Sequence, residues 1–188
     1  MKTNLIILWA VLLLYFCQKG VAQQSNVSKS VTKLNILFPG LSHEMRLGNN
    51  QTVYLGFSFN PIGEYDTQYL NGKEIKYSIY PAVQADIRQF YNLGKRAGKG
   101  LNTDRNSGNY VALRGLGVFS SISSKNNDPQ QYPNGLGITG IVWGIQRNYP
   151  SGFSLGLSVG TGFKFINGNA NRTGLFDFSL GFQLGGKK

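Results

Sequence analysis

From Phe153 to Phe165, large or apolar residues alternate with Gly, Ser and Lys, a period that only an extended strand with two different surroundings satisfies. Phe153, Leu155, Leu157, Val159, Phe163 and Phe165 fall on one face, with Thr161 the one polar interruption. Ser154, Gly156, Ser158, Gly160, Gly162 and Lys164 fall on the other. The same pattern closes the chain, where Phe176, Phe178, Leu180, Phe182 and Leu184 alternate with Asp177, Ser179, Gly181 and Gln183. A sandwich in water also puts polar side chains outside. Repeated small residues along one face instead suit the inside of a narrow closed barrel. With the large apolar residues turned outward, the expected fold is all-β, an antiparallel transmembrane β-barrel with a filled lumen.

The first residues are consistent with export. Lys2 supplies a basic start, Leu5 to Phe16 an apolar run, and Gly20-Val21-Ala22 a small-x-small cleavage signal. The expected division is therefore a signal peptide over 1–22 and a barrel domain over 23–188. A membrane anchor is the competing reading, but the apolar run is about 12 residues where a spanning helix needs about 20. A lipidated Cys17 would need small residues just before it, and Leu14-Tyr15-Phe16 stand there. Cleavage after Ala22 removes the chain's one cysteine, and with it any disulfide, thiol nucleophile or cysteine metal site.

Formal charge is +11. Lys2 and Lys19 belong to the leader, so 17 basic and 8 acidic side chains remain in 23–188. For an exported chain, anionic lipid, lipopolysaccharide or another envelope polymer is the expected counter-charge. Nucleic acid is not expected, because the basic segment Lys95, Arg96, Lys99 and Arg105 has no stacking platform and no groove-fitting helix beside it. Those four residues are instead candidates for a polyanion contact, against a reading as a solvated loop.

The rest of 23–188 reads as strands and loops without a helix. Leu34, Ile36 and Phe38 alternate in one register, and after Pro39-Gly40 the residues Leu41, His43, Met45 and Leu47 alternate in the other, which requires a turn or a bulge. One bent strand there gives seven strands in total, and a hairpin gives eight. Eight is expected, since single-chain bacterial barrels are usually even-numbered. Gly48 to Asn50, Leu93 to Asn109 and Tyr149 to Gly152 would then connect strands at one end, taken as periplasmic. Pro39-Gly40, Pro61 to Glu74, Ser123 to Asn134 and Asn167 to Gly174 would connect them at the external end. Tyr54, Tyr77, Tyr80, Tyr91, Tyr110, Trp143 and Tyr149 lie near strand ends, as an interfacial aromatic girdle requires.

Leu41-Ser42-His43-Glu44-Met45-Arg46-Leu47, Gln84-Ala85-Asp86-Ile87-Arg88-Gln89-Phe90-Tyr91, Gly108-Asn109-Tyr110-Val111-Ala112-Leu113 and Ser179-Leu180-Gly181-Phe182 resemble, in order, the small outer membrane protein β-barrel domain family of Gram-negative bacteria. The resemblance implies a fold and a place in the cell outer membrane. The family is mostly without assigned activity. Its members commonly carry an aromatic where this chain has His43, and their last strand often ends the protein, whereas Gly185-Gly186-Lys187-Lys188 follows here.

Facing large apolar residues outward sends Glu44, Arg46, Asp86, Arg88, Arg114, Lys164 and Asp177 into the lumen. There they are expected to pair and close it, because lone buried charges cost too much. A proton or ion path along them is the alternative. His43 is the chain's one histidine, and a lipid A hydrolase on such a barrel would need it beside a serine on the lipid face. Ser42 and Glu44 point to the opposite face from it. Gly135-Leu-Gly137-Ile-Thr-Gly140 matches a dinucleotide fingerprint by letters but opens a strand, with no acidic residue about 20 positions on. No catalytic residue, cofactor or metal is expected. The expected function is a monomeric structural or interaction scaffold in contact with outer-membrane lipid and an envelope protein partner. A lipid A-modifying hydrolase, a narrow pore and a soluble periplasmic β-barrel binder stand as the alternatives.

Overall fold

The computed structural model describes residues 27–65, 75–124 and 135–184. The expected leader over 1–22 and the tail Gly185 to Lys188 lie outside the described residues, as do most of two expected loops. The strands are β1 (Ser30–Asn35), β2 (Gly40–Arg46), β3 (Gln51–Tyr65), β4 (Ile75–Phe90), β5 (Asn109–Val118), β6 (Ser123–Ser124), β7 (Leu136–Asn148), β8 (Phe153–Ile166) and β9 (Asn169–Leu184). A five-residue helix, α1 (Leu93–Ala97), and a single 3₁₀ turn, Asp104–Asn106, both fall in the segment between β4 and β5.

Pairing is antiparallel throughout and returns on itself. β1 pairs with β2, β2 with β3, β3 with β4, β4 with β5, β5 with β7, β7 with β8, β8 with β9, and β9 with β1. Eight strands thus form a ring without a free edge, and the two-residue β6 adds to β4 at Ser78 and Ile79, above the end of β5. The turn at Ile36 to Pro39 separates β1 from β2, which makes the count eight rather than seven.

Two connections differ from the expectation. Asn167 to Gly174 is not a loop. β8 and β9 pair up to Ile166 and Asn169, leaving a two-residue hairpin in which Asn167 and Gly168 both have positive φ, 49° and 80°. Asn-Gly is the strongest short signal for that turn, because both central positions must enter the left-handed region. Likewise β3 continues through Pro61 to Tyr65 in register with β4, so the expected loop from Pro61 shrinks to 66–74. The end expected to be external therefore has two tight turns, and long connections are not confined to it.

Burial is inverted relative to a protein core in water. Leu113 is 57% exposed, Ile141 61% and Phe176 73%, whereas Glu44 is 0% and Asp86 1% exposed. Leu34, Leu41, Leu55, Val83, Ile87, Val159 and Phe163 share the outward face. This is the facing that the alternation predicted. The tyrosines divide. Tyr91 and Tyr149 face outward with Trp143, whose Nε1 donates to the Tyr91 hydroxyl at 2.6 Å. Tyr80 and Tyr110 are buried, and Tyr54 turns its ring inward to Arg88, so these three are not part of an outer girdle.

A narrow ring is strongly curved, and three inward glycines show where that matters. A Cβ on Gly140, Gly160 or Gly162 would lie 2.4, 2.1 or 2.0 Å from the carbonyl oxygen of Thr161, Ile141 or Thr139 on the paired strand. Close backbone approach is the physical reason for glycine there. Gly140 thereby has a structural role in the Gly135–Gly140 run, and Gly135 sits at φ +79° where the chain turns into β7. Gly160→Ala should lower stability by about 1–3 kcal/mol, the usual range for overpacking. Gly174→Ala, with nothing within 4 Å of its added carbon, should be neutral or slightly stabilising. Urea unfolding of the purified variants measures both. Equal effects would mean that the inner face has room for a methyl group.

Candidate functional site

The interior is built by cross-strand rows. Glu44, Tyr54, Asp86 and Arg114 are directly opposite one another on β2, β3, β4 and β5, and Thr52, Arg88 and Ala112 form the next row. Direct opposition places Cβ atoms about 4.5–5.5 Å apart, so long side chains in adjacent rows interlock.

Asp86 is the centre. Arg114 donates to it through two nitrogens, Nε to Oδ1 and Nη2 to Oδ2, each at 3.0 Å. Arg88 adds Nη2 at 2.8 Å and Nε at 3.1 Å, both to Oδ2. The Gln84 amide donates to both oxygens, at 3.1 and 3.0 Å. A carboxylate with two oxygens has about four lone-pair sites, and here it is fully used by charged and neutral donors.

Arg88 reaches past Asp86. Its Nη1 donates to Gln146 Oε1 at 3.2 Å and lies 3.9 Å from Glu44 Oε1. The guanidinium carbon sits 3.7 Å from the ring centre of Tyr54 and 4.6 Å from that of Tyr110, a cation held between two aromatic faces. Glu44 accepts from Thr52 Oγ1 at 2.7 Å and from Gln146 Nε2 at 3.1 Å. Arg114 also donates through Nη1 to Ser158 Oγ at 3.0 Å, and that nitrogen lies 3.7 Å from Asp177.

Of the seven residues expected to share the interior, Glu44, Asp86, Arg88, Arg114 and Asp177 are brought together. Arg46 is not with them. It lies at the end of β2 and donates to the Val27 carbonyl. Lys164 is on the inner face opposite Ile138 and Asn171, near the other end, and makes no ion pair among the described residues. Lys33, which the alternation places opposite to Leu34 in facing, is buried diagonally across from Glu44. With it the central charges are three acidic and three basic. Tyr54, Tyr110, Gln146 and Ser158 also escaped the sequence reading. Their parity with Glu44, Asp86 and Arg114 along each strand was the available signal.

One end of the ring is stoppered. Val27, Phe90, Leu93, Tyr110, Ala112, Val142 and Leu175 form an apolar cluster within the ring. Val27 and Leu93 come from outside the strands, so the chain just before β1 and the segment between β4 and β5 both fold inward there. The segment between β4 and β5 is tied down by Asn102 donating to the Asn148 carbonyl at 2.6 Å and by Gln146 donating to the Asn106 carbonyl at 3.1 Å. Ser28 N–H donates to the Asn106 side chain at 2.7 Å.

This closure divides the four basic residues proposed for polyanion contact. Arg96 donates to the carbonyls of Ser107 and Asn102, each at 3.0 Å, and Arg105 donates to the Gln183 side chain. Lys95 and Lys99 remain exposed. His43 faces outward between Thr32 and Leu55, and its Nδ1 lies 2.8 Å from Thr32 Oγ1.

Comparison with known proteins finds no matching family model, no similar curated protein and no similar solved structure. Among the described residues, no cluster of three or more His, Cys, Asp or Glu side chains could hold a metal ion.

Chemically, the interior around Asp86 is a saturated salt-bridge network. Removing one partner leaves an uncompensated buried charge, so Arg88→Ala should destabilise the folded ring by about 3–5 kcal/mol. Arg88→Lys should not rescue it fully, because an ammonium cannot serve Asp86 and Gln146 with a planar fork while lying between two rings. Unfolding midpoints in urea test both. A loss below 1 kcal/mol for Arg88→Ala would show that Asp86 finds enough donors without it.

Proposed function

We propose that the ring is a transmembrane β-barrel of the outer membrane of a Gram-negative cell, serving as a compact, non-catalytic scaffold with a closed lumen. The observation that carries the reading is the inverted burial. Large apolar side chains cover the outside while five charges, Lys33, Glu44, Asp86, Arg88 and Arg114, are buried within. In water, so continuous an apolar outer face is strongly unfavourable, and closed barrels are one of the two structures that span a bilayer with every backbone group paired. The resemblance of the four strand segments to small outer-membrane barrels supports the same reading.

The scaffold reading follows from the interior. Eight strands enclose an interior that side chains can fill or that has room beside them for one small ligand, too narrow for an open aqueous channel. Asp86, Arg88, Glu44 and Arg114 fill the middle, and Phe90, Leu93 and Val27 close one end. Ion passage would require parting charged pairs in a low-dielectric channel. On the outer face, His43 has Thr32 and Leu55 as cross-strand neighbours. Glu44, the adjacent acid, points inward and cannot orient the imidazole from that face.

In this orientation the stoppered end faces the periplasm, and Lys95 and Lys99 lie at the level of the inner-leaflet headgroups, where each contributes about 1 kcal/mol of attraction to anionic lipid. The proposed unit is a monomer, since a closed ring has no strand edge through which to recruit a second copy.

Ile141→Arg separates membrane from water. At mid-strand on a lipid-facing surface it should cost about 2–4 kcal/mol and reduce the folded, urea-resistant fraction in isolated membranes. An exposed residue of a protein in water would tolerate the change within about 0.5 kcal/mol. Heat-modifiable gel migration of wild type and variant gives the folded fractions. Full tolerance would overturn the membrane assignment. For the closed lumen, planar bilayers containing the unmodified protein should show no sustained conductance, and stable openings would instead establish a narrow pore.

A further inference from the structure

We propose that the open end of the ring is a binding site for a small organic cation, an ammonium group carried on a compact apolar body. Above the charge network and opposite the stoppered end lies a cavity of about 650 Å³, within the range of small-molecule sites. Its floor is Arg114 and Asp177. Its lining is mostly apolar, with Leu116, Val118, Leu136 and Leu175 among it, and Asn35 and Ser179 add polar groups.

The choice of ligand charge follows from how the floor is already used. Arg114 is 3% exposed at its side chain and spends Nε and Nη2 on Asp86 and Nη1 on Ser158. Each of its three nitrogens already has an acceptor, and it lies buried beneath the more exposed Asp177. Asp177 is 37% exposed at its side chain, and its nearest cation is Arg114 Nη1 at 3.7 Å, beyond hydrogen-bond length. Its acceptor sites therefore face the cavity unspent. Gln84, another lining residue, gives its amide nitrogen to Asp86, so the group it keeps for the cavity is its carbonyl acceptor.

A ligand that donates several hydrogen bonds and carries positive charge matches both acceptors. Inside a partly enclosed cavity the attraction to Asp177 is stronger than at an open surface. The leucine and valine side fits an apolar body, and 650 Å³ admits a ring-sized group. An anion would meet the exposed Asp177 carboxylate before it reached the buried Arg114 guanidinium. The site lies within the ring, so the proposal stands whether the outer face meets lipid or not.

The test uses the full chain folded in detergent micelles, isotopically labelled for NMR, and titrated separately with benzylammonium, benzyl alcohol and benzoate. Protein-free micelles correct for partitioning. Benzylammonium should shift the backbone amides of Asp177 and Ser179 and the side-chain amide of Gln84, and bind at least tenfold more tightly than benzyl alcohol. Benzoate should bind weakest. Asp177→Asn, which preserves shape, should erase the tenfold preference. Equal binding of the three probes, absence of binding, shifts elsewhere, or a preference that survives Asp177→Asn would each overturn the proposal. Should Asp177→Asn not assemble, the order of the three probes and the location of the shifts in the unmodified protein decide the matter.

Discussion

The carboxylate of Asp86, gripped by two arginines, fixes how the strands of this ring can pair. Arg114 stands directly opposite it on β5, and Arg88 follows two residues along its own strand. Sliding β4 against β5 by two residues would keep every apolar side chain outside and still separate this pair. Sliding by one would invert the two faces. The apolar pattern thus rules out odd slips, and the charge pairs rule out even ones. Without Asp86, Arg88 and Arg114 would be two like charges in one small volume, so the anion is what permits both cations to be buried.

That arrangement gives the two ends different characters. At one end Val27, Phe90 and Leu93 form a small apolar core within the ring, capped by the segment between β4 and β5. At the other, the network is the floor of a cavity whose walls are partly apolar. Inward glycines make the narrowness possible. At Gly140, Gly160 and Gly162 the neighbouring strand's carbonyl occupies the place a side chain would take. Hence the ring is filled in the middle by long charged side chains from β2, β4 and β5, while β8 contributes mostly small ones.

The alternation in β8 and β9 made the facing of nearly every strand residue legible, because a period of two survives without knowledge of the partner strand. The register change at Pro39-Gly40 marked a turn or a bulge, and the usual even strand number chose the turn and so the eighth strand. The Asn167-Gly168 hairpin was equally present in the letters, but the polar residues after it looked like a loop. Pairing with β8 turned Asn169 to Gly174 into strand. Tyr54 and Tyr110 were hidden by their chemistry. Position near strand ends suggests an aromatic girdle for any tyrosine, and only parity with Glu44 and Asp86 reveals a ring stacked on Arg88. Lys33 was obscured by the neighbouring Leu34 and Ile36. The inward fold of Val27 and Leu93 rests on a cluster whose members are far apart in sequence, from Val27 to Leu175, and such a cluster leaves no local pattern.

The inverted burial also bears on what holds the ring together. A core in water draws most of its stability from apolar area removed from solvent, at about 25 cal/mol per Å². Here the largest apolar side chains remain on the outside, and the ring's own interior supplies only the cluster around Phe90 and Val142. Closed backbone pairing and the charge network provide specificity, yet neither offsets the ordering of some 140 described residues on its own. The missing contribution must come from whatever covers the outer face. In the proposed barrel a bilayer would supply it without a complementary protein surface, since lipid chains can conform to Leu113, Ile141 and Phe176 as they stand. The same argument explains why the interior can be so polar. Once the outside provides the apolar free energy, the inside is released to carry paired charge, and at its open end to leave one carboxylate, Asp177, facing a cavity.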